Sequence, residues 1–241
     1  MTTYVLIHGA GDGAWSWHLV ARALESVGHD VVAPDLPADD DSATLEDYRD
    51  AAVDAVHAAV GLRRHAADLV VVGHSFGAFT APLVADRLAV DRYAVAGLVL
   101  VAGMLPTPGE SPNDWWETTG YTRALQEQSV RDGGLTGHPD PYVSYYQDVP
   151  RELAEEALSR ERDHPSPAAL TAPWPLAAWP DVPTRFLLCR DDRFFPADFF
   201  RRLVSTRLGI EPDEIPGGHC ISLSRPDEVA AWLVGTGTTE R

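Results

Sequence analysis

Short apolar runs alternate along the chain with longer stretches in which apolar residues recur every three to four positions, and the two periods predict different elements. Residues 3–7 and 31–33 are β-branched apolar runs bounded by Gly, Asp or Pro, the pattern of strands buried on both faces. Between them Trp15, Leu19, Leu24 and Val27 approximate a helical stripe that Gly28 stops. After Asp35 comes the polar triplet Asp39-Asp40-Asp41, which reads as a solvated loop. Thr44 is then placed to cap a helix carrying Leu45, Tyr48, Ala52, Val56 and Val60, with Gly61 at its end. Residues 69–72 form the next apolar run and lead into Gly73-His74-Ser75-Phe76-Gly77, a helical stretch to about Val90, and another run at 95–102. Such repeated strand-helix units predict a parallel sheet with right-handed crossovers and helices on both faces.

From residue 107 to 183 the alternation stops. The stretch holds many prolines, the aromatic pairs Trp115-Trp116 and Tyr145-Tyr146, and one clear amphipathic helix near residues 151–160. A structureless loop of that length does not suit a compact domain, so it is expected to be a helical cap inserted over one sheet edge. Strand and helix then resume at 185–189, 197–208, 212–215 and 226–234, and 235–241 reads as a frayed tail. The predicted organisation is an α/β core of residues 1–106 and 184–241 with a cap of 107–183.

Composition removes several functions. Thirty-six acidic against 19 basic residues give a formal charge of −17, a surface that repels nucleic acid and anionic membranes. The longest apolar run, residues 94–105, is too short to span a bilayer. Two cysteines, Cys189 and Cys220, suggest neither a disulfide framework nor a metal site, and with an apolar strand-like segment entered by Tyr4 a cytoplasmic protein, or a mature one whose leader is not shown, is expected. Every basic residue is Arg, so no catalytic Lys is available.

The chemistry concentrates at Gly73-His74-Ser75-Phe76-Gly77. A G-x-S-x-G sequence between an apolar strand and a helix is a nucleophile elbow: a strained turn raises the serine at the carboxyl end of the sheet, and glycines on either side admit neighbouring backbone. A serine hydroxyl needs a base and a carboxylate to orient that base. His219 lies in a Gly-rich turn after the last predicted strand, while Asp191 and Asp192 both follow the strand ending at Cys189.

With these residues the chain resembles an α/β-hydrolase of the small esterase and hydroxynitrile-lyase branch that includes plant methylesterases. The resemblance is carried by residues 8–15 (HGAGDGAW), 34–37 (PDLP), 73–77, 192–196 and Gly217-Gly218-His219. It implies six strands in the order 2-1-3-4-5-6, without the family's two leading antiparallel strands. It implies Ser75 as nucleophile, His219 as base, and Asp192 as the acid, because the family acid stands four residues before a proline and Pro196 is there; Asp191 remains the alternative, otherwise a loop carboxylate near Arg190 or Arg193. The backbone N–H groups of Ala10 and Phe76 would form the oxyanion hole, with no cofactor. Trp15, Trp115, Trp116, Tyr142, Tyr145, Tyr146 and Trp174 are candidates to line an apolar pocket, or else to pack core and cap.

His8 and His74 read as scaffold, and His18, His29, His57, His65, His138 and His164 as solvated. The lyases of this branch carry Thr at the position of Ala10 and Lys at that of Cys220, so a neutral site suited to ester hydrolysis is expected. The implied function is hydrolysis of a small, moderately apolar ester. Lactone opening, cyanohydrin cleavage, perhydrolysis, a biosynthetic cyclisation, or a slow ligand receptor are the alternatives, and a homodimer is left open.

Overall fold

A computed structural model describes residues 1–61, 68–162 and 165–236. His65, His164 and residues 237–241 of the expected tail lie outside the described residues. Six strands, β1 (Thr2–Ile7), β2 (Asp30–Val32), β3 (Asp68–His74), β4 (Val95–Val101), β5 (Thr184–Cys189) and β6 (Asp213–Ile215), form one sheet in the order β2-β1-β3-β4-β5-β6. Every neighbouring pair is parallel, and Ile7, Gly73 and Leu100 stand level across its centre. The chain leaves β1 toward one edge and returns at β3 toward the other. The crevice of a parallel α/β sheet opens at that switch point, beyond the carboxyl ends of β1 and β3.

A 3-10 turn at Ala14–Trp17 precedes α1 (His18–Ser26), and α2 (Leu45–Val60) and α3 (Gly77–Val90) follow β2 and β3. Helix α2 starts as its sequence predicts. Thr44 Oγ1 accepts from the Asp47 N–H, and the Asp47 carboxylate accepts from the Thr44 N–H, closing a reciprocal cap. Its predicted stripe, Leu45, Tyr48, Ala52, Val56 and Val60, is buried. Helix α3 packs beside α2 and is buried from Gly77 to Ala85, consistent with an apolar sequence that shows little sidedness.

Residues 107–183 hold five short helices, α4 (Pro112–Thr118), α5 (Tyr121–Arg131), α6 (Pro141–Ser144), α7 (Arg151–Ser159) and α8 (Pro167–Thr171), where the sequence pattern pointed clearly to one. After β5 come α9 (Ala197–Leu208), α10 (Ile221–Ser224) and α11 (Pro226–Thr236), the last packed against α1. The inserted segment shares the core of the sheet: Trp115, Tyr121, Ala169 and Trp174 belong to the same buried apolar cluster as β1, β3 and β4. A part-buried ion pair fixes its entrance, with Glu110 accepting from Arg207 of α9 at 2.6 and 2.8 Å.

Candidate active site

The elbow is built by exclusion of side chains. A Cβ on Gly77 would stand 2.5 Å from the carbonyl oxygen of His8 and 2.8 Å from that of Ile7, and one on Gly73 would meet Ala81 and Gly77 below 3 Å. These two glycines let β1, β3 and α3 close on one another. The residue between them absorbs the turn: Ser75 has φ +51°, in the left-handed region that a non-glycine residue enters only when its surroundings enforce it. Its backbone is held on both sides, its N–H donating to Val101 O at 3.1 Å and its carbonyl accepting from Met104 N at 2.9 Å.

Ser75 Oγ lies 3.1 Å from His219 Nε2, and His219 Nδ1 lies 2.8 Å from Asp192 Oδ2. All three residues are buried. A carboxylate only accepts, so Nδ1 carries the proton and Nε2 turns its lone pair to the serine. The other oxygen of Asp192 accepts from the backbone N–H groups of Phe194 and Phe195 at 2.7 and 2.9 Å, which holds the carboxylate in place. Phe194, Phe195 and Tyr145 surround the imidazole with ring centroids 5.2–5.6 Å away.

His74 and His8 have scaffold contacts. Burial, reinforced by the neighbouring His219, holds the basicity of His74 down at about 3, so the ring stays neutral and donates Nε2–H to the His219 carbonyl at 3.0 Å. His8 Nε2 accepts from the Leu36 N–H at 3.2 Å, tying β1 to the loop after β2. Asp191 does not pair with Arg190 or Arg193. Its N–H donates to Gly217 O at 3.0 Å and its Oδ2 accepts from Gly217 N at 2.9 Å, while Arg193 donates to Val143 O. The two adjacent aspartates point at different parts of one turn.

Ser75 and His219 open into a cavity of about 550 Å³ lined also by Ala10, Phe76, Met104, Trp116, Tyr145, Tyr146 and Phe194. Ala10 and Phe76 line the same cavity as the serine, and Phe76 stands at the N-terminus of α3, where the helix end favours negative charge. A cleft of about 750 Å³ between α5 and α9 contains none of these groups. Of the aromatic candidates, Trp116, Tyr145 and Tyr146 line the 550 Å³ cavity, and the four others sit elsewhere, Tyr142 with the Arg151 guanidinium 3.5 Å from its ring centroid. Trp115 is fully buried with its Nε1–H on Leu105 O, and Trp174 is buried with its Nε1–H on Phe79 O; both are core. Trp15 stacks on His18 beneath the Arg160 guanidinium, outside this cavity.

The cavity is not neutral. Asp12 and Glu161 both line it. Burial above all, with Glu161 adding to it and His219 opposing, pushes the Asp12 carboxyl up to about 6. Arg162 also reaches the cavity but is engaged by Asp39 at 2.7 Å and Asp35 at 3.6 Å. Cys220 lines the wall with a thiol that burial raises well above its usual range, so it stays protonated. Sequence reasoning passed over Asp12, Glu161, Met104 and Phe194. The available signal was position alone: Asp12 stands in the Gly-rich loop after β1, Met104 just beyond β4, and Phe194 two residues past the acid. Among the described residues no group of three or more His, Cys, Asp or Glu side chains is arranged to hold a metal, and no helix is long and apolar enough to cross a membrane.

A serine, a histidine and an aspartate in one hydrogen-bonded line, set at a strand-to-helix elbow of a parallel sheet, define an arrangement suited to acyl transfer. The model of the alpha/beta hydrolase family matches residues 4–232, and the chain belongs to that family. Among its relatives are the probable esterase PIR7A of Oryza sativa subsp. indica, 27% identical over 96% of this chain and 95% of that one, and norfluorocurarine synthase 1 of Strychnos nux-vomica, 27% identical over 95% and 93%. Methylesterase 7 of Arabidopsis thaliana is 26% identical over 96% and 94%. Among solved structures, polyneuridine aldehyde esterase superposes with a TM-score of 0.75 at 24% identity, covering 98% of each chain. That likeness shows the fold.

Proposed function

We propose that the protein is a serine hydrolase that cleaves small, moderately apolar carboxylic esters through an acyl-enzyme on Ser75. The observation that carries this reading is the continuous line Asp192–His219–Ser75 opening into a mostly apolar cavity. In the first half-reaction Ser75 Oγ attacks the ester carbonyl while His219 Nε2 takes the hydroxyl proton. The tetrahedral oxyanion rests on the N–H groups of Ala10 and Phe76. The C–O bond to the alcohol then breaks, and His219 hands the proton to the leaving oxygen. In the second half a water gives its proton to His219 and its oxygen to the acyl carbon, and Ser75 recovers its proton as the acid departs.

Asp192 keeps the required tautomer and balances the imidazolium in both halves. Residues 107–183 act as a cap, supplying Trp116, Tyr145, Tyr146, Leu158 and Glu161 to the cavity wall, and thereby choose the substrate. The relatives named esterase and methylesterase agree with this chemistry. Cyanohydrin cleavage is disfavoured because the departing cyanide would face the carboxylates of Asp12 and Glu161, with Cys220 where a cation would serve. The two free thiols, Cys189 and Cys220, fit a cytoplasmic location.

The test is turnover of p-nitrophenyl acetate and butyrate beside mandelonitrile. The reading predicts ester hydrolysis and no cyanide release above the enzyme-free control. Mandelonitrile cleavage without ester turnover would reverse it, and stoichiometric binding without turnover of either would favour a receptor.

A further inference from the structure

The base reaches Ser75 on a weakly restrained piece of backbone. Strand β6 is three residues long and lies at the sheet edge, and only Pro216, Gly217 and Gly218 separate it from His219. Two successive glycines, with Gly217 at φ +138°, give the turn little stiffness of its own. General-base catalysis nevertheless needs Nε2 held to within about 0.5 Å of its productive position.

His74 holds the carbonyl of His219 itself at 3.0 Å, and the glycine turn before it is restrained from two other parts of the chain. Asp191, next to Asp192 after β5, accepts from Gly217 N at 2.9 Å and donates its own N–H to Gly217 O at 3.0 Å. Asp148, in the inserted segment between α6 and α7, accepts from Gly218 N at 2.8 Å. Gln147 joins the two clasps by donating Nε2–H to Asp191 O at 2.8 Å. Both carboxylate bonds are charge-assisted, the stronger class of backbone restraint. Arg225, which feels the charge of both Asp148 and Asp191, packs close to Gly217, where an added Cβ would stand 3.2 Å from its Cδ. The fit leaves no room for side chains: a Cβ on Gly218 would run into Gln147 and stand 2.7 Å from Asp148 Oδ1.

We infer that Asp148 and Asp191 are positioning residues for His219, one reaching it from the inserted segment and one from the loop that carries Asp192. The inference rests on the ester-hydrolase reading for its turnover test. Asp191 holds the backbone of the turn while Asp192 holds the ring, so the adjacent pair divides two tasks. Asp148 makes the inserted segment a mechanical support of the base as well as a wall of the cavity. Neither Asp148 nor Asp191 lines that cavity, so loss of either acts on the chemical step and leaves substrate binding alone.

The experiment compares Asp148→Ala and Asp191→Ala with Asp148→Asn and Asp191→Asn, using p-nitrophenyl acetate and the downfield proton NMR signal of His219 Nδ1–H. Each Ala variant should lose about 10- to 100-fold in kcat, the range typical of removed supporting partners, with KM essentially unchanged and the proton signal broadened. The Asn variants keep an oxygen that accepts the same N–H and should recover most of the rate. If an Ala variant fails to fold, Gly218→Ala, which presses on the Asp148 clasp from the other side, should show the same kcat-selective loss.

Wild-type kcat and an unbroadened signal in the Ala variants would overturn the inference, as would Asn variants that lose as much as Ala. Ser75→Ala separates the two readings. Retained turnover in it removes the hydrolase reading, while an inactive Ser75→Ala beside fully active Asp148→Ala and Asp191→Ala removes only the positioning role.

Discussion

Replacing Asp192 by Asn is a nearly isosteric change whose effect follows from three hydrogen bonds. In the native site one carboxylate oxygen accepts two backbone N–H groups, from Phe194 and Phe195, and the other accepts from His219 Nδ1–H. An amide has one oxygen and one NH2. Turning the NH2 toward Phe194 and Phe195 would set donors against two donors 2.7 and 2.9 Å away, so the oxygen stays on that side. The NH2 must then face His219 and donate to Nδ1. That fixes the tautomer with the proton on Nε2, which meets the Ser75 hydroxyl with a hydrogen and no lone pair.

The expected loss in kcat is about 10⁴-fold, as for the same change in serine-protease triads, equivalent to about 5 kcal/mol of transition-state stabilisation. Asp191→Asn keeps its acceptor and should stay close to wild type. The assay is steady-state hydrolysis of p-nitrophenyl acetate by both variants, normalised by fluorophosphonate titration of wild type. A loss below about tenfold in Asp192→Asn, or equal losses in the two variants, would refute the tautomer argument.

Asp12 gives a pH-dependent stability prediction. Its carboxyl is raised from 3.8 to about 6, so the folded protein holds that proton more tightly than the unfolded chain and its stability falls as pH rises through that window. The full shift corresponds to about 3 kcal/mol, and a side chain one-quarter exposed retains about 1–2 of it. Asp12→Asn should therefore stabilise the fold by about 1–2 kcal/mol near pH 8 and by much less near pH 4, read from urea midpoints; an equal effect at both would contradict the assignment. Glu110→Ala takes the ion-pair partner from the part-buried Arg207, which keeps its bond to Leu105 O, and should cost about 1.5–3 kcal/mol, visible as a drop in Tm, whereas a loss below about 1 kcal/mol would mean the pair is dispensable.

The sheet was legible because its strands are apolar runs punctuated by glycine and proline, and α2 because Thr44, Asp47 and Gly61 mark both its ends. The inserted helices were harder to read. Ser111-Pro112, Asp140-Pro141 and Ser166-Pro167 look like loop signals, yet each is an N-cap followed by proline at the first helical position, where the missing N–H costs nothing. Local pattern also could not sort the tryptophans. Trp115 and Trp116 are sequence neighbours, but one turns into the core and the other toward the cavity, and that choice depends on Phe195 and Phe199 arriving from a distant part of the chain. The cavity's acidity escaped for the same reason. Asp12 and Glu161 lie far apart in sequence and meet only when the inserted segment folds over the loop after β1.

The most direct test of the central claim is intact-protein and peptide mass spectrometry of the wild-type protein after reaction with a fluorophosphonate, run beside turnover of Ser75→Ala. The account predicts a single adduct on the peptide containing Ser75, no adduct in Ser75→Ala, and ester turnover in that variant reduced to the roughly 10³- to 10⁴-fold over water that an oxyanion hole and binding alone sustain. An adduct on another residue, or Ser75→Ala hydrolysing esters at the wild-type rate, would contradict it.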